Sequence, residues 1–201
     1  MDMATATAHA ARLDVAEPAA SADDGRHVWA AKDGTPILVR AITPNDVQLE
    51  REFVEGLSPQ AGYQRLMSSR KPSAEELQRW TVVDREREGA LIATTSGHGR
   101  ERQVGVARYA MDAGDDAAEF AIVISDAWHG MGLGTHLLSS LIDLARQSGV
   151  RRIFGTTLSE NASMLRMGRR MGFKPSRLPG AGFITMLSLD LPEVLHEGKT
   201  R

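Results

Sequence analysis

Residues 122–135 of this 201-residue chain read IVISDAWHGMGLGT, and this stretch decides the fold. A β-branched run passes into alternating glycines, and an amphipathic helical pattern follows at once. The apolar residues of that pattern recur at helical spacing: Leu133, Leu137, Leu138, Leu141, Ile142 and Ala145. A strand, a glycine-rich turn and a helix N-terminus leave N–H groups unpaired at the positive end of a helix dipole. Such a combination is typical of an anion site, most often for phosphate.

The spacing of these glycines excludes two common phosphate motifs. A dinucleotide fingerprint requires Gly-x-Gly-x-x-Gly. Counted from Gly130, the third glycine position holds Thr135, and counted from Gly132 it holds Leu137. A Walker loop requires Gly-Lys-Ser/Thr, and no lysine lies near this stretch. A tight strand-to-helix turn that binds no ligand remains the alternative interpretation.

The length, charge and cysteine content of the chain argue against several classes of protein. The length fits one domain, and 42% apolar residues suffice for a core. The net charge of −2 argues against a broad nucleic-acid-binding surface; Arg166, Arg169 and Arg170 are either local anion contacts or a solvated helix face. The chain has no cysteine and its six histidines are scattered, so no metal site is expected. No apolar run approaches the roughly 18 residues that span a membrane, and we expect a cytoplasmic monomer or homodimer.

Periodicity and turn residues predict one α/β (α+β) domain over residues 28–192, between a disordered N-terminal tail (1–27) and a C-terminal tail (193–201). The predicted strands are residues 36–42, 89–95, 103–111, 119–125, 151–158, 173–177 and 182–189. Helices are expected after Thr43-Pro44, over 60–67, after a Ser73/Glu76 capping box, after Gly132 and over 161–171. A helix separates the fourth and fifth strands, which indicates a parallel pair within a mixed, mostly antiparallel sheet of about seven strands.

The segment from His129 to Gly134 resembles the pyrophosphate loop of the GNAT superfamily of N-acetyltransferases, whose usual form is Gln/Arg-x-x-Gly-x-Gly/Ala. His129 replaces the usual first residue. Asn161 and the run Met171-Gly172-Phe173 match the family's Asn…Gly-Phe segment, and the predicted element order is the GNAT order. The resemblance covers about residues 34–191. It implies a GNAT fold with a splayed parallel strand pair at an acetyl-CoA site.

The front half of the chain looks like the acetyltransferase domain of bacterial protein lysine acetyltransferases. The matching residues are Asp33-Gly34, Val39-Arg40-Ala41-Ile42, Pro44-Asn45-Asp46, Ser58-Pro59 and Tyr63-Gln64-Arg65. The resemblance implies an enzyme that transfers an acetyl group from acetyl-CoA to a primary amine, with a protein lysine as the candidate acceptor and no metal. A small-molecule amine acetyltransferase is one alternative, and a non-catalytic acyl-CoA-binding module is another.

The resemblance implies that acetyl-CoA is bound mainly by backbone groups. The N–H groups of the loop would hold the pyrophosphate, with the Thr135 hydroxyl as a further donor. The loop residues are His129, Gly130, Met131, Gly132, Leu133, Gly134 and Thr135. His129 has either a phosphate contact or a structural role. Pantetheine would pair with the strand Ile122-Val123-Ile124, where the Ile122 N–H would polarise the thioester carbonyl. Asn161 would contact the pantetheine arm, cap its helix, or both.

Glu119 is the candidate general base. A lysine ammonium has a pKa of roughly 10.4, so a base must remove a proton before the amine attacks. Strand alternation places Glu119 on the face of Ala121 and Val123, whose small or apolar side chains would desolvate the carboxylate and strengthen it as a base. The resemblance also places Glu119 where lysine acetyltransferases carry their catalytic glutamate. The alternative is a solvated acid at a strand start, as expected for Asp115 and Asp116.

Gly168 occupies the position at which many GNAT enzymes have a tyrosine that protonates the departing thiolate. A CoA thiol with a pKa of roughly 8.5 leaves without such assistance. The missing tyrosine and the substituted His129 are the observations behind the non-catalytic alternative.

Overall fold

The structure is a computed structural model that describes residues 26–66, 70–97, 99–112 and 114–192. Its strands are β1 (His27–Ala30), β2 (Pro36–Ala41), β3 (Glu88–Gly97), β4 (Arg100–Met111), β5 (Ala117–Ile124), β6 (Arg152–Leu158), β7 (Lys174–Leu178) and β8 (Ala181–Asp190). Its helices are α1 (Val47–Glu55), α2 (Pro59–Leu66), α3 (Ala74–Thr81), α4 (Leu133–Gln147) and α5 (Ala162–Arg170). Short 3-10 turns cover Pro44–Asp46 and Asp126–Trp128. No described helix is long and apolar enough to cross a membrane.

All eight strands form one sheet in the order β1-β2-β3-β4-β5-β6-β8-β7. Neighbouring strands are antiparallel except for β5 and β6, which are parallel, so the predicted mixed sheet is confirmed. The prediction missed β1, and the expected tail boundary after residue 27 is wrong because His27 already pairs with Val39 of β2. The rest of the predicted N-terminal tail, residues 1–25, and the predicted C-terminal tail lie outside the described residues.

Helices cover both faces of this sheet. On one face α4 buries its apolar side against β3, β4 and β5, and α5 packs beside it through partly buried methionines and Leu165. On the other face α1 packs through Phe53 onto Ile92, Val106 and Val123, with α3 next to α1 and α2 against β5. Alternate residues of β5 therefore face opposite helix layers, which decides the direction of each side chain near the strand's end.

Helix α4 confirms its sequence pattern in full. Leu133, Leu137, Leu138 and Leu141 are completely buried, and each contributes roughly 1.5–3 kcal/mol through burial. The helix begins after Gly132, whose φ is +89°, and ends before Gly149, whose φ is +81°. Both values lie in the left-handed region that favours glycine, so the two glycines set the ends of the helix.

Asp46 is buried under the connection from β2 to α1. Its carboxylate accepts hydrogen bonds from the Arg40 guanidinium at 2.7 and 2.8 Å and from the Thr43 N–H and hydroxyl at 2.7 and 2.8 Å. Burial alone would raise the pKa of Asp46, but these hydrogen bonds outweigh burial and hold the pKa below its ordinary value. The charged carboxylate is thus the form that stabilises this corner of the fold.

We expect Asp46→Asn to lower the free energy of unfolding by about 3 kcal/mol at pH 7, because the substitution removes the buried charge that pairs with Arg40 and leaves that guanidinium only the exposed carboxylate of Glu101, 3.1 Å away. Since the folded-state pKa of Asp46 is depressed, its contribution is present above about pH 4 and is lost as the pH falls through the folded value. Denaturant titration at pH 7 and pH 3 checks both points. The matched control is Asp143→Asn, which breaks only the exposed ion pair with Arg146 and should cost under about 0.5 kcal/mol. Equal losses in the two variants would contradict this account.

Candidate functional site

The loop before α4 presents a run of free backbone donors. The N–H groups of Trp128 and His129 donate to Ser125 and Asp126 carbonyls, and the next backbone donor along the chain is His136, which bonds Gly132. In the part of the chain that the structure describes, the six N–H groups of residues 130–135 therefore meet no protein acceptor. They lie at the positive end of the 15-residue helix α4. Six unpaired amides in sequence at a helix N-terminus are the arrangement that anions prefer in proteins.

His129 has a structural contact within this loop. Its Nε2 lies 3.0 Å from the Ile124 carbonyl oxygen, and because a carbonyl only accepts, Nε2 is the donor. Its backbone N–H is bonded as well, to Asp126. Of the two roles expected for His129, the geometry favours the structural one, because only Nδ1 is left to meet a ligand. The bond ties the loop back to the end of β5.

Strands β5 and β6 separate after a short parallel ladder. The ladder has three pairs: Ala117 with Arg152, Ala118 with Ile153, and Glu119 with Phe154. Beyond Glu119, β5 continues to Ile124 while pairing only with β4 on its other side. This confirms the expected splay. The backbone of residues 121–124 has one open edge, directly before the amide loop, where an extended ligand with amide groups has room to add as a strand.

Gly155 of β6 lies one residue beyond the last pair, directly against Phe120 of β5. A Cβ at this position would lie 2.7 Å from the Phe120 carbonyl oxygen and 2.8 Å from the Phe120 ring. Only glycine permits this approach, because any side chain at position 155 would push β6 away from Phe120 of β5. Sequence reasoning missed this role, although an isolated glycine inside a strand is itself a signal of close backbone contact.

Glu119 is the last residue of β5 that pairs with β6, and it lies at the fork, the point where these two strands separate. It shares the sheet face with Ala121 and Val123, as predicted, and points towards the layer of α1, α2 and α3. The expected desolvation of its carboxylate is wrong, because Glu119 is exposed. Its neighbours on this face are Ala110 of β4, Ala121 along the strand and Phe154 of β6, and they leave the carboxylate exposed. The carboxylate is open to a substrate that approaches from solvent.

Comparison with known proteins identifies the family. The sequence model of the acetyltransferase (GNAT) family matches residues 51–173, which is more than half of the chain. The chain belongs to the GNAT family of acetyltransferases. It is 31% identical over 160 residues to acetyltransferase PA5475 of Pseudomonas aeruginosa, covering 79% of this chain and 81% of that protein. The GNAT domain of S. lividans PAT superposes with a TM-score of 0.75 at 26% identity, covering 83% of this chain and 97% of that domain.

A third relative is a longer protein. Acetyltransferase Pat of Mycolicibacterium smegmatis is 28% identical over 143 residues, which are 70% of this chain but only 42% of Pat. The GNAT chain described here thus spans less than half the length of that relative. Among its described residues, no group of three or more His, Asp or Glu side chains is placed to hold a metal ion.

A buried ionic network lies beside Glu119 in this GNAT domain. Glu50 of α1 is 1% exposed and accepts hydrogen bonds from the Gln103 amide and, at 3.4 Å, from Arg108. Arg108 also donates to the Trp80 carbonyl and lies 5.5 Å from the centre of the Trp80 ring. Burial lowers the pKa of Arg108, against the pull of nearby carboxylates. Sequence reasoning missed this network because its members come from distant segments, and no local pattern marks a charge as buried.

Asn161 caps α5, because its Oδ1 accepts a hydrogen bond from the Met164 N–H at 3.1 Å. Its capping role is confirmed, and its amide NH₂ remains for a ligand. At Gly168, the position of the family's tyrosine, a Cβ would lie 2.9 Å from Leu187 Cδ1, so a tyrosine there requires Leu187 to move. Tyr109 is buried and donates to Ser148 at the far end of α4, which removes it as a substitute acid.

The start of helix α2 is tied to the turn before the amide loop by one carboxylate. Asp126 precedes the amide loop in the 3-10 turn, and it accepts hydrogen bonds from the Ser58 hydroxyl at 3.0 Å and the Ser58 N–H at 3.3 Å. The Ser58 oxygen also accepts from the Ala61 N–H in the first turn of α2. Ser58 and Asp126 therefore form a direct link between α2 and the loop.

Proposed function

We propose that this GNAT protein transfers an acetyl group from acetyl-CoA to a primary amine, and that the amine is a protein lysine. The observation that carries the proposal is the run of free N–H groups over residues 130–135 beside the open edge of β5. This combination suits a ligand that has a diphosphate at one end and an amide-bearing arm at the other. Acetyl-CoA has both.

In the proposed complex, backbone donors hold the cosubstrate. The amides of Gly130, Met131, Gly132, Leu133, Gly134 and Thr135 bind the diphosphate. The open edge of Ile122, Val123 and Ile124 pairs with the pantetheine amides, and the Ile122 N–H polarises the thioester carbonyl. The free NH₂ of Asn161 donates to the pantetheine arm. His129 supports the loop through Ile124.

The proposed reaction is direct attack. Glu119 removes a proton from the acceptor ammonium, directly or through water, and the freed lone pair attacks the thioester carbonyl carbon. A C–N bond forms to give a tetrahedral intermediate. As the C–S bond breaks and CoA leaves as the thiolate, the nitrogen releases its second proton to water, which leaves the neutral amide. The thiolate takes its proton from solvent, because the described residues provide no tyrosine at position 168. Exposure of Glu119 allows its own proton to return to water.

Two observations favour a protein lysine over a small amine. Glu119 lies at an open fork rather than under a cover, so a long side chain projecting from a large partner has access to it. The chain also resembles proteins named Pat and PAT over most of its length. The proposal includes a cytoplasmic location and a monomer or homodimer, which cell fractionation and sedimentation test.

The deciding experiment combines acceptor profiling with binding. The protein is incubated with acetyl-CoA and either a cell lysate or a panel of amino acids, polyamines and aminoglycosides. Mass spectrometry reads the products, and calorimetry measures acetyl-CoA binding. New acetyl-lysine on proteins supports the proposal. Product on small amines alone favours a small-molecule enzyme, and tight acetyl-CoA binding without any product favours a binding module.

A further inference from the structure

The turn between β1 and β2 lies directly against the amide loop. The Lys32 N–H donates to the Met131 carbonyl oxygen at 3.4 Å. The turn itself is closed by hydrogen bonds from Gly34 to Ala31 at 2.8 Å and from Ala31 to Thr35 at 2.9 Å. Because these bonds hold the turn in one shape, the position of Lys32 over the loop is set by the backbone.

The strand that leads into this turn is fixed to the first turn of α4. The Trp29 ring stacks on His136 with ring centres 4.8 Å apart and planes 9° apart. The His27 Nε2 lies 2.7 Å from the His136 Nε2, so one imidazole donates and the other accepts. His136 is the fourth residue of α4, immediately after the free amides. Strand β1 is thus a fixed wall beside the anion site.

The Lys32 side chain extends along this wall towards Gly132. Its Cε lies 3.9 Å from the point that a Cβ on Gly132 would occupy, and the Trp29 ring lies 3.5 Å from the same point. Lys32 is exposed, and no carboxylate among the described residues pairs with it. The unpaired ammonium of Lys32 therefore lies next to six unpaired amides, and both the ammonium and the amides favour a negatively charged ligand.

We propose that Lys32 is a further acetyl-CoA-binding residue, whose ammonium pairs with a phosphate group of the cosubstrate. The hairpin of β1 and β2 then forms one side of the phosphate site, opposite the helix N-terminus. This inference rests on the proposed function, because it requires acetyl-CoA to bind at the amide loop. The phosphate is either the diphosphate held by the loop or the 3′-phosphate on the ribose, and the two are distinguished experimentally.

The test compares Lys32→Ala and Lys32→Arg with Lys174→Ala, a matched control that removes the same charge from β7 at the opposite edge of the sheet. Calorimetry measures the Kd of acetyl-CoA, of acetyl-dephospho-CoA, which lacks the 3′-phosphate, and of acetyl-pantetheine, which has no phosphate. Lys32→Ala should weaken acetyl-CoA binding roughly tenfold, as for loss of one hydrogen bond to a charged group. Lys32→Arg should retain most of the affinity, and Lys174→Ala all of it.

The ligand series locates the contact. If the partner is the 3′-phosphate, the tenfold loss disappears with acetyl-dephospho-CoA; if it is the diphosphate, the loss persists there and disappears with acetyl-pantetheine. The same loss with acetyl-pantetheine would show a structural effect and overturn the inference. Unchanged affinity of Lys32→Ala, in a protein whose wild type binds acetyl-CoA, would also overturn it. A wild type that does not bind acetyl-CoA would overturn the proposed function itself.

Discussion

Glu119→Gln should lower kcat for acetyl transfer by about 10²- to 10⁴-fold, the usual contribution of a general base. Glutamine has nearly the same size and still forms hydrogen bonds, but it cannot take a proton from the ammonium. Because Glu119 is exposed and lies on an already formed ladder, the variant should fold normally and bind acetyl-CoA with unchanged affinity. Steady-state kinetics with a lysine-bearing acceptor measure kcat, and calorimetry measures the Kd of acetyl-CoA.

The pH dependence of this variant separates a base from a structural residue. Above the lysine pKa of roughly 10.4 the acceptor is already neutral and needs no base. The deficit of Glu119→Gln should therefore shrink as the pH rises towards 10. The matched control is Asp116→Asn, which removes a carboxylate three residues away and should leave kcat unchanged. Full activity in Glu119→Gln at pH 7 would remove Glu119 from the mechanism.

Gly132→Val should weaken acetyl-CoA binding by about 100-fold or more. Residue 132 has φ +89°, a conformation that costs a residue with a Cβ roughly 1–2 kcal/mol, and more if it is β-branched. A valine would also project at the Trp29 ring, 3.5 Å from its Cβ. Relief of this strain must turn the backbone of the loop, which redirects its free amides. Each charge-assisted hydrogen bond lost costs about 1.5–3 kcal/mol.

Gly149→Val is the matched control for Gly132→Val. Gly149 has φ +81° at the other end of the same helix, with open space where a Cβ would lie, so the strain is similar while the amide loop is untouched. Both variants should lose stability in thermal unfolding, and only Gly132→Val should lose acetyl-CoA affinity in calorimetry. Intact affinity in Gly132→Val would mean that the loop is a plain turn.

Local signals in the sequence predicted those parts of the fold that local interactions form. The apolar spacing of α4, its bounding glycines and the Ser73/Glu76 capping box all have the structure expected. Strand β1 was missed because it has only four residues and follows a segment without periodicity. Its stability comes from pairing with β2 and from the stack of Trp29 on His136, which is more than a hundred residues away.

The candidate site likewise has some features that the sequence predicted and others that it did not. The amide loop follows from glycine spacing, and the parallel pairing of β5 with β6 follows from the order of strands and helices. The fork between these strands was expected from the resemblance to the GNAT superfamily. The exposure of Glu119 does not, because it depends on which residues the sheet brings beside it, Ala110 of β4 and Phe154 of β6. The pairing of Glu50 with Arg108 joins residues 58 positions apart, and the contact of Lys32 with Met131 likewise crosses about half of the chain. Such contacts exist only once the sheet has formed.

The bond between Ser58 and Asp126 has a thermodynamic consequence for a two-substrate reaction. One carboxylate holds the start of α2, and the same turn leads into the amides that would hold the nucleotide. If a substrate bound on one side changes the Ser58–Asp126 contact, it also changes affinity on the other side, and such heterotropic coupling is reciprocal. If bound thioester donor changes the Kd of the amine by some factor, bound amine changes the Kd of the donor by the same factor. Each substrate then has two dissociation constants, one for the protein that has already bound the other substrate and one for the protein that has not.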